Sequence, residues 1–456
     1  MTIPVDDLGS YSLLDALRDR RSRRFGMGMK MEGALAFESA HDPLPLTEEE
    51  EALLVFAACG VTGYALADLV FAPGQGGDIM THLVARAVSS GDGAQAVAII
   101  VTNDSGTYYV KRPQDLTDDE ARGLVEEARK GNLTEFYKRV KVKIQNGRAA
   151  PPLVPMYNLN CNRWSVYKPG TSFFVPIDDV SFIYINGLLN ILSPDTGAYI
   201  MDERANFRSA GLERFAKSKG GHLNDDPEAH EILTIQRMEL GVAELVAIEQ
   251  GMMHQNLALM AQAMGIGGFP NFAVHEFGWF QALGFRMGQM STSRYFGEGH
   301  LFTVEASLLH RDLPIPFAVG LEASEQVLLR GHCPPYFPTM RDAVNAVVAA
   351  KFGSEGIFRG KIGLSEWRDP AGIQAATPGL SEEAIEATVA YCEYVYDRYG
   401  RFPSFIAPFR TVLGFQATHL DLDYYDRYYK PEALSSTHRE HMSRWHSTPD
   451  GSAAGG

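Results

Sequence analysis

Met252-Met253-His254-Gln255-Asn256-Leu257-Ala258-Leu259-Met260-Ala261-Gln262-Ala263-Met264-Gly265-Ile266-Gly267 closes the longest helical segment of the chain, Ala229 to Met264. From Leu245 to Met264 the segment is apolar on nearly every face, which predicts a helix buried all round. Gly265-Ile266-Gly267-Gly268 is a strong stop, because glycine readily takes the left-handed backbone that ends a helix. These glycines follow a helix and do not form the GxGxxG spacing after a strand. A Rossmann dinucleotide site is therefore excluded.

Other elements arrange themselves around this helix. Ser12 to Arg21 reads as a helix with an apolar stripe at Leu13, Leu14 and Leu17 and a cap at Ser12. Thr47 caps a second helix whose first turn holds Glu48 to Glu51, and Gly60-Val61-Thr62-Gly63 breaks it. Ala94 to Thr102 and Thr107 to Lys111 are strands around the turn Asn103-Asp104-Ser105-Gly106. Leu116 to Val140 reads as one charged amphipathic helix, and Ser172 to Ile185 as a buried strand. Glu325 to Arg330 is a short strand, with helices at Met340 to Phe352 and Ser381 to Tyr399. From Gly353 the texture turns to Gly/Pro/Trp loops and an aromatic-rich end. That places a boundary near 353, with a C-terminal extension over 353–446 and a disordered tail over 447–456.

The 456 residues are 45% hydrophobic and 21% charged, an ordinary globular composition, and the net charge is -15. That balance argues against a general nucleic-acid binder and against an anionic membrane surface. No apolar run of about 18 residues offers a membrane span. Met1 to Ser10 has no signal-peptide core, so a cytoplasmic location is expected. Cys59, Cys161, Cys333 and Cys392 are scattered and read as reduced thiols.

Against this acidic balance, Arg20-Arg21-Ser22-Arg23-Arg24-Phe25 gathers four guanidiniums and a hydroxyl. Arginine forms bidentate, charge-assisted hydrogen bonds to phosphate, so an anion is expected there. The alternative is a solvated helix end paired with carboxylates. The following Met27, Met29 and Met31 read as core filler rather than a mobile flap. His419, Asp421, Asp423 and Asp426 hold metal-binding groups, but their helical spacing reads as a polar stripe, and no metal is expected. No Ser-His-Asp or Cys-His pattern supports a nucleophile.

The order of three pieces resembles the nitroreductase-like family of FMN-dependent oxidoreductases. They are the Arg20–Arg24 stretch, the helix from Pro45 with its break at Gly60 to Gly63, and the Met252–Gly267 helix with its glycine exit. The resemblance covers roughly residues 10 to 350, so residues 1–352 would form the FMN-binding domain. It implies an α+β fold with a central, mostly antiparallel sheet flanked by helices, in a homodimer. It also implies FMN reduced by NADH or NADPH and an electron-poor small-molecule acceptor. On it, Arg20, Arg21, Ser22 and Arg24 would clamp the FMN phosphate, joined by Arg330. Thr62 and Gly63 would approach the flavin, and a backbone N–H of Asn271, Phe272 or Ala273 would meet its N5 or O4.

The chain departs from the family at Tyr64 to Asp68, which lacks the family's Asn-x-Gln-Pro-Trp stretch. The polar-aromatic loop Asn160, Asn162, Arg163, Trp164 would substitute, bind substrate or simply be a surface turn. The extension would be a lid or dimer arm, offering Arg401, Arg410, Tyr424 and Tyr428 to the pocket. Rival readings are an oxygen-using relative, flavin-fragmenting or dehydrogenating, and a non-catalytic flavin-binding or partner protein.

Overall fold

A computed structural model describes residues 8–68, 84–153, 159–194, 196–215, 232–272, 276–297, 300–360 and 365–446. Its centre is a seven-stranded sheet made of β1 (Val97–Thr102), β2 (Gly106–Val110), β3 (Lys141–Asn146), β4 (Ser172–Asp179), β5 (Gly267–Phe272), β6 (Phe409–Arg410) and β7 (Leu413–Thr418). The order is β5-β7-β4-β1-β2-β3, with β6 paired to the C-terminal end of β4. Every pairing in it is antiparallel.

The β1–β2 hairpin turns at Asn103, whose side-chain oxygen accepts the backbone N–H groups of Ser105 and Gly106. Side chains alternate across β1. Val97, Ile99 and Val101 enter one core, and Ala98 and Ile100 enter another. The expected strand Ser172 to Ile185 is cut short. Asp179 accepts the N–H of Phe182 and starts a helix.

The helices that matter here are α1 (Leu13–Asp19), α2 (Glu48–Cys59), α3 (Asp118–Arg129), α4 (Leu133–Val140), α5 (Val180–Ile191), α6 (Ile235–Met264), α7 (Met340–Phe352), α8 (Glu382–Tyr399), α9 (Leu422–Tyr428) and α10 (Ser436–His446). Ser12 caps α1. Thr47 and Glu50 cap α2 reciprocally, each side chain holding the other residue's backbone N–H. The single helix expected over Leu116 to Val140 is two, divided where Gly131 takes φ +73°.

One face of the sheet is covered by α2, α3, α4 and the C-terminal half of α6, through Met253, Leu257, Ala261 and Met264. The other is covered by Glu276–Ala282 and a three-stranded sheet of Phe285–Ser291, Pro314–Ala323 and Gln326–Arg330. A further core joins α5, α7, α8 and the N-terminal half of α6.

Two further expectations are corrected. The helix α6 is not buried all round, because Ile248 and Met252 are 56% and 38% exposed on its outer side. It lies as a wall against the sheet and presents only one side to it. The boundary near 353 does not separate a core from an appendage. β7 lies inside the sheet between β5 and β4, and α8 supplies Tyr391, Cys392 and Val395 to the core beside α5. Those strands and apolar faces cannot be buried without the residues after 353. The tail over 447–456, expected to be disordered, lies outside the described residues.

The stop after α6 has a second cause besides the backbone turn. Gly265 has φ +78°, and a Cβ there would run into the carbonyl of Thr437. Gly131 also has positive φ, but its Cβ direction is open. We expect Gly131→Ala to cost about 1 kcal/mol, the strain of a left-handed alanine, and Gly265→Ala clearly more. Denaturant unfolding of the two variants measures this; equal losses would contradict the close approach of α10 to the end of α6.

Candidate functional site

The arginine stretch leaves α1 as extended backbone and is held by two bridges, Arg23 with Gly268 of β5 and Gly26 with Leu420. Met27 donates its N–H to the carbonyl of His419 at 3.1 Å, and Asp421 donates to that of Phe25 at 3.2 Å. Residues at opposite ends of the sequence are thus neighbours at the sheet edge.

Arg23 is buried. Its Nε donates to the Ala433 carbonyl at 2.7 Å and its Nη1 to Gln262 Oε1 at 2.8 Å. Arg24 is half-buried. Its Nη2 donates to Asn162 Oδ1 at 2.8 Å and to Ser165 Oγ at 2.7 Å. The Arg24 guanidinium lies over the rings of Phe269 and Trp164, 4.3 and 5.0 Å from their centroids. Among the described residues neither arginine is ion-paired with a carboxylate, and burial lowers the pKa of both.

Several hydrogen-bond donors around this point lack acceptors among the described residues. They are Arg24 Nε, Arg163 Nε and Nη2, and Asn271 Nδ2. Asn271 is itself tied in, because its Oδ1 accepts from Asn162 Nδ2 at 2.8 Å. The aromatic side of the site is a pile of rings. Phe25 lies between Tyr424, at 4.1 Å and 19°, and Trp164, at 6.0 Å and 23°. The Tyr425 hydroxyl accepts the N–H groups of Arg24 and Phe25 and so fixes the turn of the chain.

A cavity of about 430 Å³ opens between these groups, bordered by Arg21, Ser22, Arg23, Arg24, Phe25, Met31, Leu35, Trp164, Tyr424, Tyr425, Tyr429 and Ala433. It falls within the range of small-molecule sites. The structure therefore brings together Arg21, Ser22, Arg24, Trp164 and Tyr424, with Asn162 and Asn271 linked behind Arg24. Phe25, Ser165, Tyr425 and Tyr429 are added to the expected set. The aromatic run at 424–429 is the sequence signal for the two tyrosines. Nothing local marks Ser165.

Other expected residues lie elsewhere. Arg20 does not line this cavity, and the Arg21 guanidinium also donates to the carbonyls of Arg18 and Arg20 at the end of α1. Thr62 and Gly63 sit on a short strand, Val61–Tyr64, paired with Val84–Arg86, and do not border the cavity. The loop at 64–68 turns toward Trp367, whose Nε1 donates to the Leu66 carbonyl. Pro270, Asn271 and Phe272 belong to β5 and pair along β7. Phe272 is 48% exposed there, and Ala273 lies outside the described residues.

Arg401 is buried over the Tyr295 ring, Arg410 lies in β6, and the Tyr428 hydroxyl donates to the Ala36 carbonyl, so none of the three enters the cavity. Met27 and Met29 are core residues. The helical stripe read from His419 to Asp426 fails because α9 starts only at Leu422. His419 is fully buried.

Arg330 borders a second cavity of about 490 Å³ with Arg112, Asp179, Phe182 and His332. Arg112 is already paired with Asp115 and Asp179. The His332 ring lies between Phe182 and Phe337, with centroids at 4.9 and 5.1 Å.

No protein-family profile matches the chain, and no curated protein matches it. Among solved structures, the chain is similar to a protein from Ralstonia eutropha JMP134 described as a putative nitroreductase, at 12% identity and a TM-score of 0.28. The match covers 60% of this chain and 75% of that one. No helix among the described residues is long and apolar enough to cross a membrane.

Burial, then the nearby Arg330 and Arg112 charges, pushes the His332 pKa down from 6.5 to about 3. His332 is thus neutral in the fold, while the unfolded chain binds its proton near 6.5. The stability it confers is complete above that value and is lost as the pH falls toward 3. Between the two values the loss is about 1.4 kcal/mol per pH unit. Against wild type, His332→Phe should flatten the acid side of the stability–pH curve by that slope, measured by denaturant unfolding. Identical slopes would contradict a buried neutral His332.

Proposed function

We propose that the chain is an FMN-dependent oxidoreductase of nitroreductase-like fold. It would pass reducing equivalents from NADH or NADPH to an electron-poor small molecule such as a nitroaromatic or a quinone. The observation that carries this reading is Arg24. A half-buried guanidinium without a carboxylate partner among the described residues, its Nε unpaired there and its side chain bordering an aromatic cavity, suits an aromatic ligand with an anionic tail. FMN has both parts. Arg21, Arg24 and Ser22 would hold the phosphate, and Trp164, Phe25 and Tyr424 would border the ring.

When bound, FMN supplies the hydride chemistry. The chain's own part is to neutralise the anionic tail, orient the ligand through a rigid stack of rings, and keep water from one side of it. No side-chain acid or base is required by this reading. The protein would act in the cytoplasm.

Purified protein is expected to be yellow or to take up added FMN, and to oxidise NADH or NADPH only when an acceptor is supplied. Arg24→Ala should weaken FMN binding about 10- to 100-fold, the worth of a charge-assisted hydrogen bond, while circular dichroism stays unchanged. A colourless protein that takes up no FMN would overturn the reading. Oxygen uptake without any acceptor would redirect it to an oxidase.

We also propose a homodimer. Leu13, Leu14 and Leu17 are 67%, 70% and 51% exposed along one helix, an apolar stripe that a second copy would cover. Light scattering should report twice the chain mass, and the triple change of these leucines to Ser should lower it. A monomeric wild type contradicts this.

A further inference from the structure

Glu50, His419 and His441 come from three distant segments: the first turn of α2, the residue after β7, and α10. All three are buried, at 2%, 0% and 4% exposure. One oxygen, Glu50 Oε1, lies 3.1 Å from His419 Nε2 and 3.1 Å from His441 Nε2. The other Glu50 oxygen is committed to the Thr47 N–H at 2.7 Å as part of the helix cap. The three donor atoms lie within 4.8 Å of one another.

Hydrogen-bond accounting gives this convergence a direction. His419 Nδ1 is 3.0 Å from the Leu44 carbonyl, which can only accept, so Nδ1 carries the proton of that ring. In neutral His419 the other nitrogen, Nε2, then points a lone pair at a carboxylate. His441 Nε2 also faces that oxygen but without hydrogen-bond alignment. Two imidazole nitrogens and a carboxylate oxygen meeting in a dry interior are satisfied either by protons on the nitrogens or by a metal ion among them. A histidine whose Nδ1–H is fixed by a backbone carbonyl while Nε2 faces inward is the usual posture of a metal ligand. Bonds of about 2.0–2.2 Å to one ion put adjacent donors roughly 3 Å apart, which both oxygen–nitrogen separations match.

We propose that Glu50, His419 and His441 bind one divalent first-row transition metal ion. Two imidazoles and one carboxylate select Zn²⁺, Fe²⁺ or Co²⁺ over Mg²⁺ and Ca²⁺, which take oxygen ligands. The ion is a clasp. It joins the start of α2 and the strand segment that hydrogen-bonds the Met27 backbone to α10, at the chain's far end. The site is separate from the arginine cavity and does not depend on the flavin reading.

The contrasting arrangement is a bare ion pair, in which protons rather than a metal satisfy Glu50. Tag-free protein is incubated with excess Zn²⁺ or Co²⁺, dialysed, and assayed for metal by mass spectrometry. We expect about one equivalent retained, a visible Co²⁺ absorption band, and a melting temperature that falls by several degrees after chelation and recovers with Zn²⁺. Folded His441→Ala should lose the metal. His41→Ala, which alters the separate cluster of His41, Asp421 and Asp423, should keep it.

No retained metal in wild type overturns the proposal, as does equal retention in folded His441→Ala. If His441→Ala does not fold, pulsed electron paramagnetic resonance of Cu²⁺-loaded wild type decides. Two coordinated imidazoles support the site, and none or one overturns it.

Discussion

A guanidinium enters a protein interior only where acceptors are waiting, and at Arg23 two remote segments provide them. The Ala433 carbonyl and the Gln262 side chain bind its Nε and Nη1. Gln262 in turn donates to Ser435 Oγ at 2.9 Å. One buried arginine therefore joins the N-terminal strand, the last turn of α6 and the segment before α10. Removing either partner would strand a buried charge, which is costly. The neighbouring features follow from that fixed point. Arg24 comes next in sequence and is delivered to Asn162, Ser165 and the ring of Trp164. Phe25 is delivered to its place between Trp164 and Tyr424.

Glycine makes this junction possible. At Gly26 a Cβ would collide with the side chain of Thr418, and at Gly267 it would crowd the Arg23 carbonyl and the Leu420 side chain. The bridges at Arg23 and Gly26 depend on backbones approaching closer than any side chain allows. The glycines after α6 thus end the helix and also admit the arginine strand.

Local signals were legible in the sequence because local physics decides them. The caps at Ser12 and Thr47, the Asn103 turn and the stop at Gly265 each need only neighbouring residues. The break at Gly131 was missed because helical periodicity continues across it and only the positive φ betrays it. The role of residues after 353 was missed for a different reason. The place of their strand β7 inside the sheet is fixed by pairing with β4 and β5, far away in sequence. The arginine stretch was legible as a charge anomaly. Its division of labour, with Arg23 structural and Arg24 facing the cavity, depends on Gln262, Ala433 and Asn162, which no local pattern links to it. Glu50 and His419 were each visible singly, one as a first-turn acid and one in a polar stripe. Their meeting with His441 is purely tertiary.

We propose that the cavity beside Arg24 receives an aromatic ligand through its anionic group. A crystal structure of the protein soaked with FMN tests it most directly. The phosphate is expected within hydrogen-bonding distance of the Arg24 guanidinium, with the ring system against Trp164 or Tyr424. FMN bound at another place, with Arg24 still held only by Asn162 and Ser165, would contradict it.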